Sequence, residues 1–162
     1  MINGVQRNRA WVSHAWWGTN KPDVYRENDW ALLRLDTKLG DSQGWFATRE
    51  VTIDVMKSTD GTLVGYSTDF RNGNTAGVHR NCRITKQYRT NFFLHNCDAT
   101  RGSSGGPIFA YWNNEPTIYA LNVGDFRSGG DTSLNVPQYS DQNANIAIWS
   151  SELYNKIIEL KA

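Results

Sequence analysis

Short apolar runs separated by turn residues fill most of the chain, and helical spacing appears only at its end. Strand-like runs occupy Ala31 to Leu35, Val51 to Val55, Thr62 to Tyr66, Ile108 to Tyr111, Ile118 to Val123 and Ile146 to Ile148. Two further runs, Arg83 to Thr85 and Phe92 to Leu94, read as the arms of a hairpin. Asp60-Gly61, Asn72-Gly73, Asn113-Asn114 and Gly129-Gly130 supply breaks, because glycine and asparagine reach the backbone conformations that tight turns need. From Ser150 onward Leu153, Ile157 and Leu160 recur at helical spacing behind a serine cap, with Glu152 in the first turn. The pattern predicts an all-β barrel or sandwich closed by one C-terminal α-helix.

Composition narrows the functional classes. The chain has 162 residues, with 17 Lys and Arg against 16 Asp and Glu, and no run of five like charges, which argues against a nucleic-acid or acidic-lipid surface. No stretch approaches the roughly 18 consecutive apolar residues of a membrane span. The three histidines and two cysteines show no metal-ligand spacing, so neither a metal nor another cofactor is implied. Met1 to Arg9 carries basic residues with no apolar core behind them, unlike a signal peptide.

The candidate chemistry lies in Gly102-Ser103-Ser104-Gly105-Gly106-Pro107. Its glycines let the backbone turn sharply beside one hydroxyl. Such a turn can aim the amides of Gly102 and Ser104 at the point where the oxyanion of a tetrahedral acyl-transfer intermediate would sit. Taken alone, the same residues also fit a Gly/Ser-rich surface loop.

With the apolar strand that follows, G-x-S-G-G-P resembles the nucleophile loop of the trypsin-like (chymotrypsin-fold) serine peptidases. Asn28-Asp29-Trp30-Ala31-Leu32-Leu33-Arg34-Leu35 resembles the strand that carries that family's triad aspartate, and Ala120-Leu121-Asn122-Val123-Gly124 the strand that lines its primary specificity pocket. Cys97-Asp98, Gly44-Trp45-Phe46 and Asn145-Ile146-Ala147 are similar to the bacterial branch typified by glutamyl endopeptidases. The resemblance implies two β-barrels and a closing helix. Residues 1–57 would then be an incomplete first barrel and 58–162 the second. It also implies Ser104 as nucleophile, Gly102 and Ser104 as the oxyanion hole, and Asp29 as the group that orients a histidine. On the bare residues Asp29 fits a turn position equally well.

The base is where the resemblance fails. The family's histidine precedes the aspartate by some forty residues, but the sole upstream candidate, His14, stands fifteen residues before Asp29, which leaves little room for the intervening strands. His14 is thus a weak candidate base, better matched to a variable segment ahead of the aspartate strand. His79 and His95 follow Asp29 and read as polar residues beside cysteines. The expectation is that the histidine and a secretion signal lie upstream of Met1, that the full protein is secreted or periplasmic, and that this chain alone is nearly inert.

Asp98, Asn122, Val123 and Gly124 are the expected substrate pocket, with residue preference left open. Ser103 replaces the aspartate that pairs with a freed amine in the trypsin branch, which argues against that mode of zymogen activation. Cys82 and Cys97 flank the hairpin; in a family of secreted type they are expected to be bonded, with two reduced thiols as the alternative. The expected partner is a peptide or protein substrate. Two other readings stay open: a non-catalytic homologue that binds peptides, and a carbohydrate-binding β module suggested by seven tryptophans.

Overall fold

The computed structural model describes residues 9–125 and 139–161; Gly129-Gly130 and residues 1–8 fall outside them. Two sheets form. Strands β1 (Val12–Trp17) and β2 (Ala31–Leu35) pair antiparallel as a separate two-stranded ribbon, Trp17 opposite Ala31 and His14 opposite Arg34. The chain continues from the ribbon through the short helix α1 (Gly40–Gln43), strand β3 (Ala47–Thr48), which joins the large sheet, and helix α2 (Ile53–Ser58).

The large sheet comprises β3, β4 (Gly61–Gly65), β5 (Gly77–Cys82), β6 (Ile84–Arg89), β7 (Phe92–His95), β8 (Pro107–Trp112), β9 (Glu115–Asp125) and β10 (Asn145–Ile148). Its order is β5-β4-β8-β9-β10-β7-β6, with β3 parallel to β9 through Ala47 opposite Thr117 and Thr48 opposite Ile118. Helix α3 (Ser151–Lys161) closes the chain, and the Ser150 hydroxyl accepts from the Leu153 amide at 3.1 Å, which is the cap expected there. The sheet curls into a half-barrel. The core cluster packed on it gathers Ile84, Ile108, Tyr119, Ile146, Ile148 and Leu153, all essentially without solvent exposure.

The turn signals hold where they can be checked. Asn113 and Asn114 both take positive φ, 50° and 65°, the two-residue geometry that matches the twist of antiparallel strands. One expected element needs correction. Val51 to Val55 is not a strand: Thr52 caps a helix by accepting from the Val55 amide at 3.4 Å, with Asp54 in the first turn. Local capping there outweighs the β-branched composition. The helix spans the boundary expected at residue 57. Strand β1, which the alternation did not show, forms because pairing with β2 satisfies its backbone. Trp11 and Trp45 are exposed, whereas Trp30 and Trp149 are buried.

Candidate active site

Ser104 sits in the loop from Asn96 to Gly106, between β7 and β8. Two backbone bonds, Gly105 amide to Asn122 carbonyl (2.7 Å) and Asn122 amide to Gly106 carbonyl (2.9 Å), extend the β8 and β9 ladder into this loop. On the far side the Thr68 amide donates to the Arg101 carbonyl at 2.8 Å. At Gly102, φ is +98° and a Cβ would come within 2.5 Å of the Tyr66 carbonyl oxygen, so glycine is required on both counts. At Gly106 a Cβ would meet the carbonyl oxygens of Val64 at 2.6 Å and Ser103 at 2.8 Å. The loop therefore lies directly on β4.

The two cysteines that flank β6 and β7 are bonded, with Cα atoms 4.8 Å apart. His95, next to this bridge, is fully buried. Its Nδ1 accepts from the Cys97 amide at 3.2 Å, and its Nε2 donates to Oδ1 of Asn122 at 3.0 Å. Burial, opposed only in part by the bonds to Asn122 and to the Ile146 backbone, pushes its pKa down to about 4. Asn122 is also buried, and its Nδ2 donates to the Ser103 carbonyl at 3.0 Å. The Ser103 hydroxyl is buried against that of Ser67.

The exposed Ser104 and Asp29 line one cleft of about 700 Å³. Its remaining wall is mostly apolar and includes Trp17, Trp30, Leu121, Val123 and Trp149. Among the described residues the amides of Gly102 and Ser104 donate no hydrogen bond, and the Asp29 carboxylate has no hydrogen-bond or ionic partner.

The structure does not bring His14 to this cleft. It is exposed on β1, stacked on Trp16 with ring centroids 5.9 Å apart, and its Nδ1 lies 3.3 Å from the Ser13 hydroxyl. Opposite Arg34 it stands three strand positions from Trp17, about 10 Å along the ribbon, and Asp29 lies beyond the ribbon's end. No histidine is among the residues that line the cleft.

The four residues expected to form one substrate pocket fall in separate places. Val123 lines the cleft, while Asn122 is buried beneath the serine loop. A Cβ at Gly124 would meet the Arg26 guanidinium at 2.9 Å. Asp98 opens instead into a second cavity of about 250 Å³ with Ser67, Asp69, His79 and Ser103. There the Asp98 amide donates to His79 Nδ1 at 2.6 Å, and the Thr100 hydroxyl donates to Asp69 at 2.7 Å. Adjacent serines thus serve different cavities, because successive side chains of the turn project oppositely. Among the described residues no cluster of three His, Cys, Asp or Glu side chains could hold a metal ion, and no helix is long and apolar enough to cross a membrane.

Sequence reading missed His95, Ser67 and Thr68 as supports of the loop. A usable signal existed only for His95, which ends the apolar run Phe92-Phe93-Leu94, all of it buried.

No family model and no curated protein matches the chain. Among solved structures it is similar to the crystal structure of a scabies mite inactivated protease paralogue. The TM-score is 0.61 at 14% identity, over 93% of this chain and 68% of that one. The chain has the trypsin-like, chymotrypsin fold.

Proposed function

We propose that this chain carries the nucleophile and oxyanion portion of a trypsin-like serine peptidase site. The observation that supports the reading is the shared cleft: an exposed serine and a carboxylate open into it, and the amides of Gly102 and Ser104 donate no hydrogen bond among the described residues. A peptide bound there would present its carbonyl carbon to Ser104 Oγ. The hydroxyl proton passes to an imidazole, the carbonyl oxygen becomes an oxyanion on the Gly102 and Ser104 amides, and Asp29 orients and balances the imidazolium. The imidazolium then protonates the leaving amine, and water hydrolyses the Ser104 ester. The likeness to glutamyl endopeptidases, resting on Cys97-Asp98, Gly44-Trp45-Phe46 and Asn145-Ile146-Ala147, is the finer version of the reading. The disulfide supports export to an oxidising compartment.

One observation favours a second reading, a peptide-binding homologue without catalysis: the cleft has no histidine among its lining residues, and an unassisted serine is a weak nucleophile. Labelling with a fluorophosphonate, with and without added imidazole and mapped by peptide mass spectrometry, tests both. The expected outcome is slow labelling that imidazole accelerates, located at Ser104 and lost in Ser104→Ala. No acceleration at Ser104, with a peptide still binding the cleft, overturns the first reading in favour of the second.

A further inference from the structure

The hydrogen bonds behind Ser104 have a fixed polarity that starts at a group unable to reverse. The Cys97 backbone N–H can only donate, so His95 Nδ1, 3.2 Å away, carries no proton. The neutral ring, consistent with its burial, therefore carries its proton on Nε2, and that N–H donates to Asn122 at 3.0 Å, with the Ile146 carbonyl a further acceptor beside the ring. The Asn122 atom facing it must be the amide oxygen. The NH₂ group is left to face the Ser103 carbonyl, to which it donates at 3.0 Å. The usual ambiguity in which way an asparagine amide points is removed by its neighbours.

The last link is covalent. The described peptide bonds include no cis bond, and in a trans peptide the C=O and N–H vectors are opposed. With the Ser103 carbonyl drawn inward by Asn122 Nδ2 and by the Gly106 amide (2.9 Å), the N–H of Ser104 must point outward. Among the described residues this N–H donates no hydrogen bond.

We propose that His95 and Asn122 are positioning residues for the Ser104 amide: they act through the Ser103 carbonyl to hold that N–H facing the cleft as an oxyanion donor. Neither touches substrate; both sit beneath the loop. The catalytic part of this proposal rests on the nucleophile reading of Ser104, whereas the orientation of the amide does not.

The test uses the full chain labelled with ¹⁵N-serine, so that the Ser104 amide is observed directly, together with imidazole-assisted phosphonylation by a fluorophosphonate. Asn122→Ala should shift the Ser104 amide resonance. It should also lower the first-order phosphonylation constant about 10- to 100-fold, less than outright removal of an oxyanion donor, with the reagent's inhibition constant unchanged. A general loss of structure would move both constants. Asn122→Asp keeps the shape but puts an acceptor against the Ser103 carbonyl; it should act in the same direction and serves where the alanine variant does not fold. His95→Gln can accept from the Cys97 amide and donate to Asn122 through one amide group, and should retain more of the rate than His95→Leu. A Ser104 resonance and a phosphonylation constant that are both unmoved in the folded Asn122 variants overturn the proposal. If the parent chain shows no phosphonylation at Ser104, the nucleophile reading falls, and the amide resonance alone decides whether His95 and Asn122 orient the peptide.

Discussion

Between Thr100 and Gly106 the inward-facing backbone groups are bonded one after another: the carbonyls of Thr100, Arg101, Ser103 and Gly106 accept, and the Gly105 amide donates. Around Asp29 the bonding is local. Its amide reaches the Arg26 carbonyl at 3.2 Å, and its carboxylate has no hydrogen-bond or ionic partner among the described residues. The ribbon beyond it has two strands and leaves Trp17, Leu33 and Leu35 exposed, whereas the serine loop is braced by β4, β9 and a disulfide-linked hairpin. An oxyanion donor must be held within a fraction of an ångström to act. A carboxylate that orients an imidazole needs the imidazole first, and the described cleft shows none. The region where backbone placement matters most is the region most heavily restrained.

The two regions should respond very differently when each functional group is removed in turn. Ser104→Ala should take imidazole-assisted labelling to background. Asp29→Asn should change it less than about threefold, because a freely diffusing imidazole has no fixed orientation for a carboxylate to maintain. An Asp29→Asn loss as severe as that of Ser104→Ala would show that the two regions already work as one unit.

Acid provides the next largest effect, confined to the serine side. His95 ionises near pH 4 when folded, with Asn122, the Cys97 amide, the Ile146 carbonyl and the partly exposed His79 around it. In the unfolded chain it ionises near pH 6.5. The unfolded state therefore binds more protons between these values, and stability falls as the pH is lowered from about 6.5 to about 4, then levels off for this group. The loss amounts to about 3 kcal/mol. Urea midpoints across this range should follow that curve in the parent chain and flatten in His95→Gln.

Glycine replacement separates the two regions at the backbone. Gly102→Ala, facing the Tyr66 carbonyl at 2.5 Å with φ at +98°, should cost about 2 kcal/mol or more. Gly44→Ala also has positive φ, +79°, but nothing within 4 Å, and should cost about 1 kcal/mol. The smallest effect belongs to the ribbon surface: Leu33→Ala, half exposed on β2, should move the urea midpoint by less than about 0.5 kcal/mol equivalent.

What could be read in the sequence follows the same division. Strands β4, β8, β9 and β10 around the serine loop announce themselves because they alternate or run apolar between turn residues, as at Asn113-Asn114, whereas the polar β5 does not. The terminal helix is legible through Ser150. Residues of the first region mislead, since Val51 to Val55 has strand composition but is nucleated as helix by the Thr52 cap. The nucleophile turn is visible because its glycines are chemically necessary. Its supports are less so: Thr68, Ser67 and His95 come from 9 to 37 positions away; only His95 is marked, by the apolar run it ends, and no local pattern signals that the Thr68 amide or the Ser67 hydroxyl meets the loop. The expected substrate pocket dissolved for a related reason. Spacing along a strand told which residues neighbour Ser104, but Asn122 spends its side chain on the loop and Asp98 opens elsewhere.

The cleft's three indoles have an optical consequence. Trp17 is well exposed while Trp30 and Trp149 are 6% and 4% exposed, and all three border the same 700 Å³ of space. Indole emission shifts to shorter wavelength as water leaves the ring, so an occupant of the cleft would turn the wet indole toward the colour of its two dry neighbours. The molecule carries its own fluorescent gauge of whether the space beside Ser104 is filled.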